Sequence, residues 1–265
     1  MNTAKSRKQA ALLVACTGLA TLASFGIMVG AAGGDPVPLV DTSYAAPGQS
    51  PESVRAPFRS AVVWLEVPAD RYEVFQNLGN PETEPGREIR RRVDLINRID
   101  YAFMVAYSAF TAALFWLLFL LKRSSGHVIF GELKFFHTGL VLAGAMLVGD
   151  ALENLALLRL TDYSGPGAIP DVDLVWLSVT TRLKWFALWA SCLLLGVGFA
   201  SHFAGSPALL LSIPYSLAGI VGLMSFLIPG QRSLLETAAS LMAVGWFGSL
   251  GYANFLIWKG EDPGK

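Results

Sequence analysis

The chain has 265 residues, of which 53% are hydrophobic and only 15% charged, with twenty basic and twenty acidic side chains. Soluble domains carry about 25% charged residues, so this composition belongs to the membrane class, and a net charge of zero excludes a general nucleic-acid binder. Cys16 and Cys192 fall in apolar runs, and His127, His137 and His202 are scattered, so no disulfide framework, no metal-ligand spacing and no cofactor is indicated.

Lys5, Arg7 and Lys8 precede an apolar run from Gln9 to Gly33. A secretory signal has an apolar region of about 7–15 residues, and this one is longer, so the expectation is an uncleaved signal anchor over 9–33 behind a cytoplasmic N-terminus, 1–8. Leu13-Val14-Ala15-Cys16 matches a lipobox, but the apolar run continues well past the cysteine, which marks the match as fortuitous.

Residues 34–100 form the one long non-membrane segment and hold eleven of the twenty acids and eight of the twenty bases. Asp35 to Pro57 is rich in Pro, Ser, Gly and Ala and reads as an irregular linker. Ser60 to Val67 has strand composition and is closed by Pro68. Ala69 to Leu78 reads as a short helix stopped by Gly79. From Arg87 the apolar positions Ile89, Val93, Ile96 and Ile99 recur at helical spacing, and Glu88/Arg92 and Asp94/Arg98 are acid-to-base pairs four residues apart. This amphipathic stretch lies on the membrane surface or runs into the next span.

Five further runs are long enough to cross a bilayer: 101–121, 138–158, 178–203, 208–228 and 237–258, followed by a tail, 259–265. The expected fold is therefore an all-α membrane protein of about six transmembrane helices, with a small external α+β segment between helices 1 and 2. Pro214 should kink the fifth span. Gly139/Ala143, Ala187/Ser191 and Gly245/Ser249 are small-residue pairs that let helices approach. Lys5, Arg7, Lys8, Lys122, Arg123, Lys134, Lys259 and Lys265 collect on one side, which places both termini in the cytoplasm. Arg87, Arg90, Arg91, Arg92 and Arg98 then lie outside, in a segment long enough to be exempt from the loop-charge rule.

The third span carries Asp150, Glu153 and Asn154, spaced by three and four and so on one helical face. A central Asp costs about 2.5–3.5 kcal/mol to insert, and nine Leu or Val residues in the span return about 3–5 kcal/mol, so the helix depends on its neighbours. The second span offers Asp100 and Tyr107 as partners at matched depth. The fourth begins with Thr180, Thr181, Arg182 and Lys184, of which Arg182 is placed level with Glu153 for a helix starting near Leu177. These six residues, Asp100, Tyr107, Asp150, Glu153, Asn154 and Arg182, form the candidate ligand or ion cluster. The bland reading is polar glue fixing helix register. The sharper ones are a proton- or cation-coupled transporter, a small-ligand pocket, or an intramembrane lipid-modifying enzyme. Gly149-Asp150 lacks the glycine at position 147 that an intramembrane aspartyl protease motif needs, and no serine-hydrolase elbow is present, so no catalytic residue is assigned.

Ile99-Asp100-Tyr101-x-Phe103-x-x-x-Tyr107 followed by Asp150-x-x-Glu153-Asn154 resembles a group of uncharacterised bacterial multi-pass membrane proteins over residues 60–160. The resemblance implies one leading helix, an external segment with a short strand and helix, and a shared grouping of Asp100, Tyr107, Asp150, Glu153 and Asn154. It implies no reaction. With it, the expected location is a bacterial cytoplasmic membrane, the expected environment the lipid bilayer, and a small ligand or protein partner at the external segment is left open.

Overall fold

The computed structural model describes residues 3–31, 40–123, 131–202, 207–228 and 232–259. Parts of the expected layout therefore lie outside the described residues: 1–2, the end of the first span and start of the external segment (32–39), His127, residue 203, and the tail at 260–265.

The described chain is helical, with no strand. The helices are α1 (Thr3–Ala31), α2 (Ala61–Glu66), α3 (Arg71–Leu78), α4 (Glu84–Arg123), α5 (Gly131–Leu160), α6 (Asp171–His202), α7 (Ser212–Leu227) and α8 (Ser233–Lys259), with short 3-10 turns between some of them. Among the described residues, six of these helices are long and apolar enough to cross a membrane: α1, α4, α5, α6, α8 and the stretch Ala208–Leu227 that includes α7. That is the layout of a multi-pass membrane protein.

The strand expected at Ser60–Val67 is a helix instead. Ser60 Oγ accepts the Val63 N–H and caps α2. The Trp64 and Val67 amides donate to the carbonyls four residues back, and Asn77 Nδ2 donates to the Ala61 carbonyl at 2.7 Å. Strand composition reports little more than fitness for a half-buried surface. A lone six-residue segment with no neighbouring strand satisfies its backbone locally, as one helical turn that buries Trp64 and Leu65.

The chain divides into two compact units. One comprises Ser24–Met104 and Val148–Lys184. Its core is Leu65 of α2, Val74, Phe75 and Leu78 of α3, Ala156, Leu157 and Leu160 of α5, Ile169, and Leu177 of α6. Asp70 caps α3 by accepting the Tyr72 and Glu73 amides, Glu73 reaches back to the Ala69 amide, and Gly79 ends the helix at φ 71°. Arg90, buried on α4, donates to the Thr161 and Tyr163 carbonyls at 2.7 and 3.0 Å and to the Gly79 carbonyl at 3.0 Å, with its guanidinium over the Phe75 ring. One side chain thus serves the carbonyls left over beyond the ends of both α5 and α3.

The other unit comprises Met1–Ala23, Val105–Leu147 and Trp185–Lys265. Small residues set its helix spacing. A methyl group at Gly219 would stand 2.7 Å from the Leu193 amide nitrogen, and one at Gly222 2.2 Å from the Trp189 ring, so α6 and α7 touch backbone to backbone. Tyr215 lies against Gly245 and its hydroxyl is 2.9 Å from Ser249 Oγ, joining α7 to α8. Pro214 falls in the first turn of α7, directly after the 3-10 turn Pro207–Leu211, where its missing N–H has no partner to lose within α7.

Candidate functional site

The polar residues of α5 meet a lysine. In the unit that holds them, Asp150, Glu153 and Asn154 are 3%, 0% and 2% exposed, and so all face inward as their spacing demands. Lys184 of α6, 6% exposed, places its ammonium between three carboxylates. Nζ is 3.0 Å from Glu66 Oε1, 3.3 Å from Asp150 Oδ1, and in direct contact with Glu153 Oε2. Glu66 arrives from the last residue of α2, so one cation ties three elements together.

Gly149 allows the approach. A methyl group there would sit 2.8 Å from the Lys184 amide nitrogen and 3.1 Å from its Cα, so α5 and α6 meet with no side chain between them. The next residue, Asp150, and the next turn, Glu153, then reach the ammonium. Thr181, one turn before Lys184, hydrogen-bonds the Glu153 carboxylate and lies 3.2 Å from the Glu66 carbonyl; its single hydrogen serves one acceptor at a time.

A second tier joins α4. Asn154 Nδ2 donates to Asp100 Oδ2 at 2.7 Å, Tyr101 OH donates to the Ala151 carbonyl at 3.4 Å, and Thr161 Oγ1 donates to Asp94 Oδ1 at 2.6 Å. Three carboxylates (Glu66, Asp150 and Glu153) therefore meet one ammonium, and a fourth carboxyl, Asp100, joins the assembly through Asn154. Burying an ion costs several kcal/mol unless it is paired and hydrogen-bonded, so this excess of negative groups has to be met by shared hydrogen bonds, protons or a bound cation.

Of the six residues singled out in the sequence, Asp100, Asp150, Glu153 and Asn154 share this assembly. Tyr107 belongs to the other unit, where its ring stacks on Trp246 at 5.9 Å between centroids. Arg182 is exposed, and the role assigned to it falls to Lys184. The reason is helix phase. Two residues are 200° apart on an α-helix, so Arg182 and Lys184 cannot face the same neighbour. Leu177, Thr181, Lys184, Leu188, Ser191 and Leu195 recur at spacings of three and four and are all buried, and this stripe would have chosen Lys184. Glu66 carried no such signal, because its partner lies more than a hundred residues away and its segment read as a strand.

Counted along the helices, Asp150 lies seventeen residues from Leu133 on α5, and Lys184 seventeen from Ser201 on α6, each about 26 Å. Among the described residues, no group of three or more His, Cys, Asp or Glu side chains is arranged to hold a metal ion. No protein-family model, curated protein or solved structure matches the chain.

Proposed function

We propose that the chain is a non-enzymatic multi-pass protein of a bacterial cytoplasmic membrane, with both termini on the cytoplasmic side, and that the Lys184 cluster is its structural clamp. The single observation that carries this reading is that one buried ammonium contacts carboxylates from two other elements, Glu66 of α2 and Asp150 and Glu153 of α5. With Leu133 and Ser201 taken as one boundary of a ~30 Å hydrocarbon core, the count of about 26 Å supports a position for Asp150 and Lys184 toward the other boundary, where charged groups are cheaper to hold than at the centre. The resemblance to a group of bacterial multi-pass membrane proteins, carried by Asp100, Tyr107, Asp150, Glu153 and Asn154, supports the membrane reading and implies no reaction.

A second reading, a site that takes up and releases protons during transport, is favoured by the three carboxylates in contact with one lysine and the fourth, Asp100, linked to them through Asn154. Glu153→Gln and Asp150→Asn separate the two. A clamp predicts that either variant accumulates poorly or unfolds earlier in detergent. A transport site predicts that the fold survives and proton movement into protein-containing liposomes is lost.

A further inference from the structure

The outward face of α6 has a different character from the clamp. Val172, Val175, Trp176, Val179 and Leu183 are between 42% and 68% exposed and recur at helical spacing. Arg182 is exposed among them, and among the described residues no carboxylate pairs with it. Trp176 is held with its Nε1–H on the Leu152 carbonyl of α5 at 3.2 Å, leaving the ring face outward. An apolar stripe of this length is ill-suited to water, and α6 is one of the six candidate spans; on the membrane reading proposed above, on which this inference rests, the Val179–Leu183 part of its exposed side faces lipid. Arg182 is nineteen residues from Ser201, about 28 Å along the helix, the depth at which a ~30 Å hydrocarbon core gives way to headgroup phosphates. Trp176 stands farther out, in the zone where interfacial tryptophans anchor.

We infer that Arg182, flanked by Val179, Leu183 and Trp176, forms an interfacial site for the headgroup of an anionic glycerophospholipid. The guanidinium presents donors in a plane suited to a phosphate, and the valine and leucine side chains pack against the glycerol and upper acyl region. A neutral phosphatidylcholine offers the phosphate without the net negative charge, so the site discriminates by charge. A basic side chain near an anionic surface contributes about 1 kcal/mol, which corresponds to a preference of about five-fold.

The test is native mass spectrometry of the intact protein released from nanodiscs of equal parts phosphatidylglycerol and phosphatidylcholine, counting retained lipids. The wild type is expected to retain phosphatidylglycerol about five-fold over phosphatidylcholine. Arg182→Gln should lower the ratio, Arg182→Lys should keep most of it, and Arg55→Gln, at an exposed arginine of the connecting segment, should leave it unchanged. Equal retention by the wild type, or a preference that Arg182→Gln leaves unchanged, would overturn the site. A lipid-independent dimer that Arg182→Gln dissolves would overturn it too, assigning the face to a second copy of the chain. The inference stands apart from the clamp: Arg182→Gln should keep the thermal stability that Lys184→Met loses.

Discussion

Lys184 and Arg182 lie two residues apart on one helix, yet their substitution should have opposite consequences. Lys184→Met leaves Glu66, Asp150 and Glu153 buried without their cation, and removing one partner of a buried ion pair costs about 3–5 kcal/mol. Thermal unfolding in detergent should show a large loss, or the variant should fail to accumulate. Arg182→Gln, at an exposed position, should change stability by less than about 0.5 kcal/mol. Tyr44 supplies a pH dependence outside the spans. Its ring packs on Phe75 with centroids 5.1 Å apart, and burial, then the nearby Asp41 carboxylate, push its phenol above the usual value of 10.0. A group whose folded-state pKa is raised contributes stability below its unfolded pKa and loses it as pH rises through the folded value. Stability should therefore fall above about pH 10, and Tyr44→Phe should remove that part of the alkaline loss when midpoints on either side of that pH are compared.

Between elements, the junctions are more specific than the helices they join. Arg90→Met would strip three carbonyls of a charged donor, and such hydrogen bonds are worth about 1.5–3 kcal/mol each. Faster hydrogen exchange in residues 71–79 and 156–163 is the expected sign, with α8 unaffected. Gly149→Ala should force α5 away from the Lys184 backbone at a cost of about 1–3 kcal/mol, seen as a lower unfolding midpoint. These junctions explain what the sequence could and could not reveal. Spans are written in runs of apolar residues about twenty long, and the inward face of α5 is written in the spacing of Asp150, Glu153 and Asn154, so both are legible. The phase of α6 is harder, because a helix in lipid is apolar on its inward and outward faces alike, and an arginine two residues from a lysine looks equally eligible. The start of α4 was legible too: the helical spacing from Arg87 continues into the second span as one helix from Glu84, its first turns held by Arg90 and Asp94. The short α2 was misread because a cap at Ser60 outweighs β-branched composition when no strand stands beside it.

For the whole molecule, the six candidate spans among the described residues would return the chain to the side from which it started, so on the proposed orientation a reporter fused to the C-terminus should signal from the cytoplasm; a periplasmic signal would overturn the orientation. Arg87, Arg90, Arg91, Arg92 and Arg98 strain the charge rule in an outward segment, and it is the length of that segment, 34–100, that exempts them. The clamp is the central claim, and a double-mutant cycle of Glu66→Gln and Lys184→Met, read by thermal unfolding in one detergent, tests it most directly. If Glu66 and Lys184 hold α2 to α6 through their ion pair, the two losses will fall short of additivity by about 1–3 kcal/mol. Additive losses, or two variants as stable as the parent, would contradict it.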